Sequence, residues 1–371
     1  MIRPVTPALT PALTAAFIAA AFLIAGCGRQ APTDGAAEAP VAAAGNGDAA
    51  AGVGSGEINV YSGRHYDSDL AIFDAFTAET GIKVNVIEAA GDALIERLAL
   101  EGEASPADLY ITADAGMLWR AKERGVLRAI EDDAVLARTP AQFRDPEGEW
   151  AGLSKRARVI IYNREAGAPE GLDTYDDLAD PSLRGMICVR SSTNVYNQSL
   201  LASIIAHQGR DAGLQWAKGV AGNFARAPEG NDTAQIEAVA AGLCRVGIVN
   251  SYYIARYAGV EDADAAAIGA KIGVIFPNQE TTGTHVNVSG AGVARHAPNA
   301  ANAEMLIAYL LRDEVQGAFA LGNNEYPVVA GVAAAGPVAE LGAFREDGLD
   351  MALLGENQTE AVKVFDEAGW Q

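Results

Sequence analysis

From Glu57 onward the chain alternates two kinds of hydrophobic spacing. "EINVYS" at 57–62 and "IKVNVIE" at 82–88 switch between apolar and polar residues as half-buried strands do, whereas "DSDLAIFDAFTAETG" between them carries apolar residues at helical spacing. That helix is entered through Asp67 or Ser68 and stopped at Gly81. "GDALIERLALEG" predicts a second helix and "ADLYITAD" a third strand. Strand and helix repeated in this way predict a parallel sheet covered by helices.

The same grammar restarts further along. "RARVIIYN" and "GMICVR" read as strands, "VYNQSLLASIIAHQG" as a helix ending at Gly209, and "NDTAQIEAVAAG" as a helix capped by Asn231 or Asp232. "CRVGIVN" is a strand feeding "SYYIARYAG". "KIGVIFPN" and "THVNVSGAGVAR" follow as strands, then "NAANAEMLIAYLLRDEVQGAFA" as one long amphipathic helix. The expected architecture is α/β with two lobes and a ligand cleft between them. Residues 57–157 form the first segment of lobe 1, 158–274 lobe 2, 275–327 a return to lobe 1, and 328–371 a C-terminal helical segment packing on lobe 2.

The N-terminal part departs from this pattern. Residues 1–27 begin with Arg3, run through "AAFIAAAFLIA" and reach "IAGC", with small residues before Cys27, which resembles a bacterial lipoprotein signal with Cys27 as the lipidated residue. A secretory signal with an accidental cysteine is the alternative; a spanning anchor would need about 20 apolar residues, more than this run supplies. Residues 28–56 are rich in Ala, Gly and Pro and too poor in large apolar residues to offset their ordering entropy, so they read as a flexible tether. The expected location is extracytoplasmic or periplasmic, anchored to a membrane by lipid.

Charge narrows the partners. A formal net charge of −21 with no basic face argues against nucleic acid. Export puts Cys188 and Cys244 in a disulfide-permissive compartment, each in a short apolar run; a bridge between neighbouring strands and a pair of buried thiols are both open. Nucleophile-elbow, P-loop, HExxH and CxxC patterns are missing from the sequence, so a binding protein and not an enzyme is expected.

The tyrosines carry the candidate chemistry. In open α/β sheets ligands bind beyond the carboxyl ends of the strands. Tyr66 follows the first strand, Tyr196 follows "GMICVR", and Tyr252 and Tyr253 follow "CRVGIVN". Adjacent Tyr252 and Tyr253 have two readings: one ring in the core with one on the surface, or both oxygens converging on one ligand. Tyr61, Tyr110, Tyr162, Tyr309 and Tyr326 occupy ordinary core positions within strands, a helix or beside Pro327.

A free phenol titrates near ~10, so four phenols become hard anionic donors at neutral pH only beside a strongly charged cation. Hard oxygen ligands without a cysteine or histidine cluster argue against zinc and copper, and the shortage of converging carboxylates against calcium and magnesium. Fe(III) is the best match, and Fe(II) stays open because the same oxygens serve it with altered protonation. Four phenolates leave one excess negative charge, which Arg64 or Arg256 could offset from outside the ligand shell. His65, beside Tyr66, is either a further nitrogen ligand or a loop histidine. His207, His285 and His296 have no visible companions and read as structural.

Several long stretches carry a family resemblance: "VYSGRHY", "SPADLYITADAG", "KRARVIIYN", "VRSSTNVYNQSLLASIIA", "NFARAPEGNDTAQIEAVAAG", "NSYYIARY", "THVNVSGAGV" and "AVKVFDEAGW". From Glu57 to the C-terminus the chain resembles the periplasmic ferric-iron-binding proteins of ABC transporters, especially their FutA-like branch. The resemblance implies a class II periplasmic-binding fold, a monomer that hands iron to a membrane permease, phenolate ligands at Tyr66, Tyr196, Tyr252 and Tyr253, and a variable histidine at His65. Relatives that complete the shell with an anion use a small-residue loop where this chain has Tyr196, so no obligatory anion is expected. The rival reading is a binding protein for an organic cation or sugar, with tyrosines as stacking faces.

Overall fold

The computed structural model describes residues 56–371 apart from residue 65; the signal with Cys27, the tether up to residue 55, and His65 lie outside the described residues. The first segment runs β1 (Glu57–Ser62), α1 (Asp67–Thr80), β2 (Lys83–Glu88), α2 (Gly91–Glu101), β3 (Leu109–Thr112), α3 (Ala115–Glu123), β4 (Leu127–Arg128) and α4 (Asp133–Arg138). The strands β2, β1 and β3 pair in parallel, as the alternating pattern predicts. The helix α1 carries Asp67 and Asp69 in its first turn, where exposed N–H groups favour anions, and ends at Gly81, whose φ of 76° lets its N–H close back on Thr77.

A long strand, β5 (Ala151–Asn163), then carries the chain into a second set: β6 (Ile187–Cys188), α5 (Val195–Gln208), α6 (Arg210–Gly222), α7 (Asp232–Ala240), β7 (Val246–Asn250), α8 (Ser251–Ala255), α9 (Ala263–Ala270) and β8 (Ile272–Ile275). The return strand is β9 (Val286–Ala294), followed by α10 (Ala300–Leu310), α11 (Asp313–Asn323), β10 (Tyr326–Pro327), α12 (Ala352–Glu356) and α13 (Gln358–Ala368). The sheet order is β2-β1-β3-β9-β5-β7-β6.

The sheet is mixed, not parallel throughout. β9 runs antiparallel to β3 and β5, and β5 runs antiparallel to β7 and β8. The first part of β5, Ala151 to Ala157, pairs with β9, and its second part, Arg158 to Asn163, pairs with β7 and β8. A single strand thus belongs to both halves of the sheet. Its start at Ala151 lies five residues before the expected "RARVIIYN", because the preceding stretch finds its hydrogen bonds on β9, a partner more than a hundred residues away.

Apolar burial divides accordingly. One core gathers Val60, Phe76, Leu98, Leu109, Trp150, Val288 and Leu306 around the first set of strands. Two smaller ones flank the second set, one through Ile160, Leu201, Trp216 and Ile248, the other through Val159, Ile161, Val239 and Val249. The C-terminal segment joins both: Met351 and Leu354 bury in the first core, whereas Phe365 and Trp370 bury in the second, with Trp370 stacked on Trp216 at 5.8 Å.

The long helix expected at 299–320 is two helices. The chain turns at Leu311 and Arg312, where Arg312 is extended at ψ 145° and Asp313 and Glu314 open a new N-terminus. The Arg138 guanidinium donates to the Leu311 carbonyl at 2.9 Å and satisfies an end of α10 that a continuous helix would not expose. Hydrophobic periodicity continues across the break, so the turn is invisible in it. Cys188 and Cys244 form a disulfide with Cα atoms 5.8 Å apart. Cys188 ends β6, but Cys244 sits in the turn before β7 and not in the strand itself. Among the described residues no helix is long and apolar enough to cross a membrane.

Candidate metal centre

Three strand ends deliver the four candidate tyrosines. Tyr66 stands just before α1, Tyr196 in the first turn of α5, and Tyr252 and Tyr253 in the first turn of α8, directly beyond β7. The Tyr196 and Tyr252 hydroxyl oxygens are 3.3 Å apart, although 56 residues separate them in sequence. The Tyr66 ring meets Tyr252 edge-on at 6.5 Å, and the Tyr252 and Tyr253 rings lie 4.3 Å apart, tilted by 31°. The structure therefore brings the four rings together. Tyr252 is 1% exposed and the other three are half-buried.

Tyr66, Tyr196 and Tyr252 resist ionisation for a shared reason. Burial raises the Tyr252 hydroxyl well above its ordinary value, and the neighbouring Tyr196, Tyr66 and Tyr253 add to it, since each phenolate would repel the next. Tyr66 is raised by burial, then by Glu325 and Tyr196; Tyr196 is raised by burial while Arg156 pulls it the other way. Without a cation these three keep their protons. A multiply charged cation reverses that balance and gains several anionic oxygens at once. Among the described residues no group of three or more His, Cys, Asp or Glu side chains could hold a metal.

The arginines are arranged differently from expectation. Arg64 is buried, forks onto Asp69 at 2.8 and 3.3 Å, and reaches Glu325 at 3.2 Å, with its guanidinium 4.8 Å from the Tyr66 ring centre. Its charge is already shared by two carboxylates, so it acts chiefly as a platform beneath Tyr66. Arg256 is exposed and lies over both ring faces, at 5.2 Å from Tyr252 and 4.9 Å from Tyr253. The arginine beside the phenols with two donors to spare is Arg156. It is 1% exposed, donates through Nη1 to Ser289 at 2.9 Å, and leaves Nε and Nη2 with no hydrogen-bond partner while its guanidinium lies 5.9 Å from the Tyr196 ring. Arg156 also pairs with Glu325 at 3.7 Å, but its two unpartnered donors beside the phenols fit a site built to gain negative charge.

Sequence reasoning passed over Arg156, Glu325 and Arg158, whose guanidinium lies 6.0 Å from the Tyr196 ring. The available signal was "KRAR" at the head of an otherwise apolar strand, where two arginines at alternate positions must share one face. The histidines read as structural are placed as follows: His207 pairs with Asp347 at 2.8 Å, and His285 is buried with its backbone N–H donating to the Tyr175 hydroxyl at 3.1 Å.

Comparisons with known proteins define the family. Residues 71–346 match the bacterial extracellular solute-binding proteins, and the chain belongs to that family. It is 48% identical to "Iron uptake protein A1" of Synechocystis sp., over 85% of this chain and 88% of the relative. The solved Trichodesmium (IdiA) (FutA) structure in complex with iron and citrate ligands is 50% identical, superposes with a TM-score of 0.82, and is covered completely by 85% of this chain. A ferric binding protein from Campylobacter jejuni superposes with a TM-score of 0.81 at 38% identity, again over 85% of this chain and all of that one. The fold is thus the two-lobed class II periplasmic-binding fold, with the ligand cleft between the lobes.

Proposed function

We propose that this chain is the extracytoplasmic capture component of an iron-uptake ABC transporter, taking Fe(III) as cargo and delivering it to an inner-membrane permease. The observation that carries the reading is the 3.3 Å approach of the Tyr196 and Tyr252 hydroxyls, with the Tyr66 and Tyr253 rings against Tyr252. Tyr66, Tyr196, Tyr252 and Tyr253 supply phenolate oxygens and release protons as iron enters. Arg156, with unpartnered donors, offsets the excess negative charge, and Arg256 covers the solvent side of the adjacent rings. His65 is kept as a candidate fifth donor.

The lobes that close on iron are 57–157 with 275–327, and 158–274, with β5 and β9 as the connecting strands. Tyr66 comes from the first lobe and the other three phenols from the second, so bound iron holds the lobes together. The lipid anchor at Cys27 and the tether after it keep this body beside the membrane as a monomer. Stacking recognition of an organic cation or sugar fits less well, because the Tyr252 and Tyr253 faces are already taken by one another and by Arg256.

The test is a titration of the metal-stripped protein with Fe(III), and separately with Fe(II) under anaerobic conditions, recording visible absorbance. Fe(III) should produce a phenolate charge-transfer band that saturates at one ion per chain. Full occupancy by iron with no visible band would refute phenolate ligation.

A further inference from the structure

Asp232 lies at the first residue of α7 and is 0% exposed, yet it belongs to none of the site elements described so far. A helix start needs only a capping side chain, and Asn231 already supplies it by accepting from the Ala234 N–H at 3.0 Å. The Asp232 carboxylate points elsewhere. Its Oδ2 accepts from Arg158 Nη1 at 2.7 Å and from the Asn250 backbone N–H at 2.7 Å, and its Oδ1 accepts from Arg190 Nη1 at 3.3 Å.

Each partner leads to a tyrosine. Asn250 ends β7 two residues before Tyr252. Arg158 extends from β5 to the Asn250 amide oxygen at 3.1 Å and to Asn197 Oδ1 at 2.8 Å, and Asn197 directly follows Tyr196. The Asn197 amide in turn donates to the carbonyls of Arg190 and Ser191, at 3.0 and 3.2 Å, which fixes the loop entering α5. One carboxylate therefore ties together the ends of β7 and β6 and the start of α5.

We infer that Asp232 is the positioning residue of the iron site: through Arg158, Asn250 and Arg190 it sets the spacing between the Tyr196 and Tyr252 oxygens. The inference rests on the phenolate reading given above. A second consequence follows from its charge. Asp232 pairs with two of the three arginines that surround the Tyr196 ring, Arg158 at 6.0 Å and Arg190 at 5.4 Å, each of which keeps only Nε buried and unpartnered, whereas Arg156 keeps both Nε and Nη2. A neutral amide at 232 keeps one acceptor for Arg158 and Asn250 but turns a donor towards Arg190, so the loop before Tyr196 loses one of its anchors.

The experiment compares wild type, Asp232→Asn, Arg158→Lys and Asp108→Asn, each stripped and titrated with Fe(III) supplied as the nitrilotriacetate chelate. Asp108 is a matched control: it is equally buried and accepts backbone N–H groups from Asn59 at 2.8 Å and Asn299 at 2.6 Å, in the first core away from the tyrosines. Circular dichroism establishes the folded fraction for every variant. Asp232→Asn and Arg158→Lys should shift the charge-transfer band and weaken Fe(III) binding by about 10-fold or more, as loss of an outer-shell partner does. Asp108→Asn should lower the melting temperature and leave the band where it is. Arg158→Lys carries the test should Asp232→Asn not fold, because lysine keeps the charge but cannot bridge Asp232, Asn250 and Asn197 together. An unchanged band and affinity in the folded position-158 and position-232 variants would overturn the inference, as would an equal shift in Asp108→Asn. A wild-type protein without a band would instead remove the phenolate reading itself.

Discussion

On one side of the cleft a single phenol is held by its neighbours in sequence. Tyr66 sits on Arg64, Arg64 forks onto Asp69 five residues further on, and Ser62 accepts from the Arg64 N–H at 3.1 Å, all between the end of β1 and the first turns of α1. On the other side three phenols come from two segments far apart in the chain and are held by β5, α7 and β7 together through Arg158, Asp232 and Asn250. The first arrangement is built mostly within one strand-to-helix turn, with Glu325 as its one distant carboxylate at 3.2 Å. The second exists only once the lobe is assembled, so its geometry is more sensitive to remote change.

The largest effect should come from the side with three of the proposed donors. In the Tyr252→Phe, Tyr253→Phe double variant two of four oxygens are gone, and Fe(III) affinity should fall by roughly 100-fold or more, beyond the range for outer-shell changes, with the visible band lost. Retention of both properties would mean that the adjacent phenols only pack. Tyr66→Phe removes the single donor of the other side. It should weaken binding less but also reduce iron-induced compaction in small-angle scattering; compaction equal to wild type would break the proposed division of labour between the lobes.

Effects on stability alone come next. The Cys188–Cys244 bridge closes a loop with a sequence separation of 56, worth about 4 kcal/mol by chain entropy. Reduction, or Cys188→Ser with Cys244→Ser, should lower the denaturation midpoint while the iron band stays unchanged, because the bridge joins β6 to the segment before β7 and supplies no donor to the site. A shifted band would show that the bridge helps to place them.

The smallest effect near neutrality is one of pH. Burial, with Arg158, His207 and Arg156 nearby, pushes the His285 imidazole down to about 3. Because the folded value is depressed, the unfolded chain binds the proton first. Stability is therefore fully present above about 6.5 and declines as pH falls from there towards 3. Between pH 7 and 6 the loss should be only roughly 0.7 kcal/mol. His285→Gln should flatten that slope in chemical-denaturation series, and an unaltered slope would assign the acid sensitivity to other groups.

Much of the scaffold was legible along the chain. The helix stop at Gly81, the cap at Asn231 and the strand-to-helix turns before Tyr66, Tyr196 and Tyr252 are local signals, written in residues that touch one another within a turn or two. The break at Leu311 was not legible, because the Arg138 guanidinium that satisfies it comes from a distant helix. The roles of the arginines misread for a related reason. Arg64 was noticed for its neighbour Tyr66, whereas its ion pair with Glu325 crosses 261 positions. Arg156 stood in a strand among apolar residues, and nothing beside it in sequence announces a cleft.

By itself, the sequence determined which elements form and which phenols stand at strand ends, since periodicity, caps and glycine stops act through contacts only a few residues long. It also narrowed the chemistry, because phenols without a cysteine or carboxylate cluster favour a hard, highly charged cation. Only the tertiary structure decided that β5 serves both halves of the sheet, that Tyr196 and Tyr252 approach to 3.3 Å, and that Arg156 rather than Arg64 keeps free donors beside them. Those outcomes depend on how buried charges are shared among segments far apart in the chain. Each carboxylate can satisfy only so many guanidinium donors, and which ones it takes is settled by packing in three dimensions.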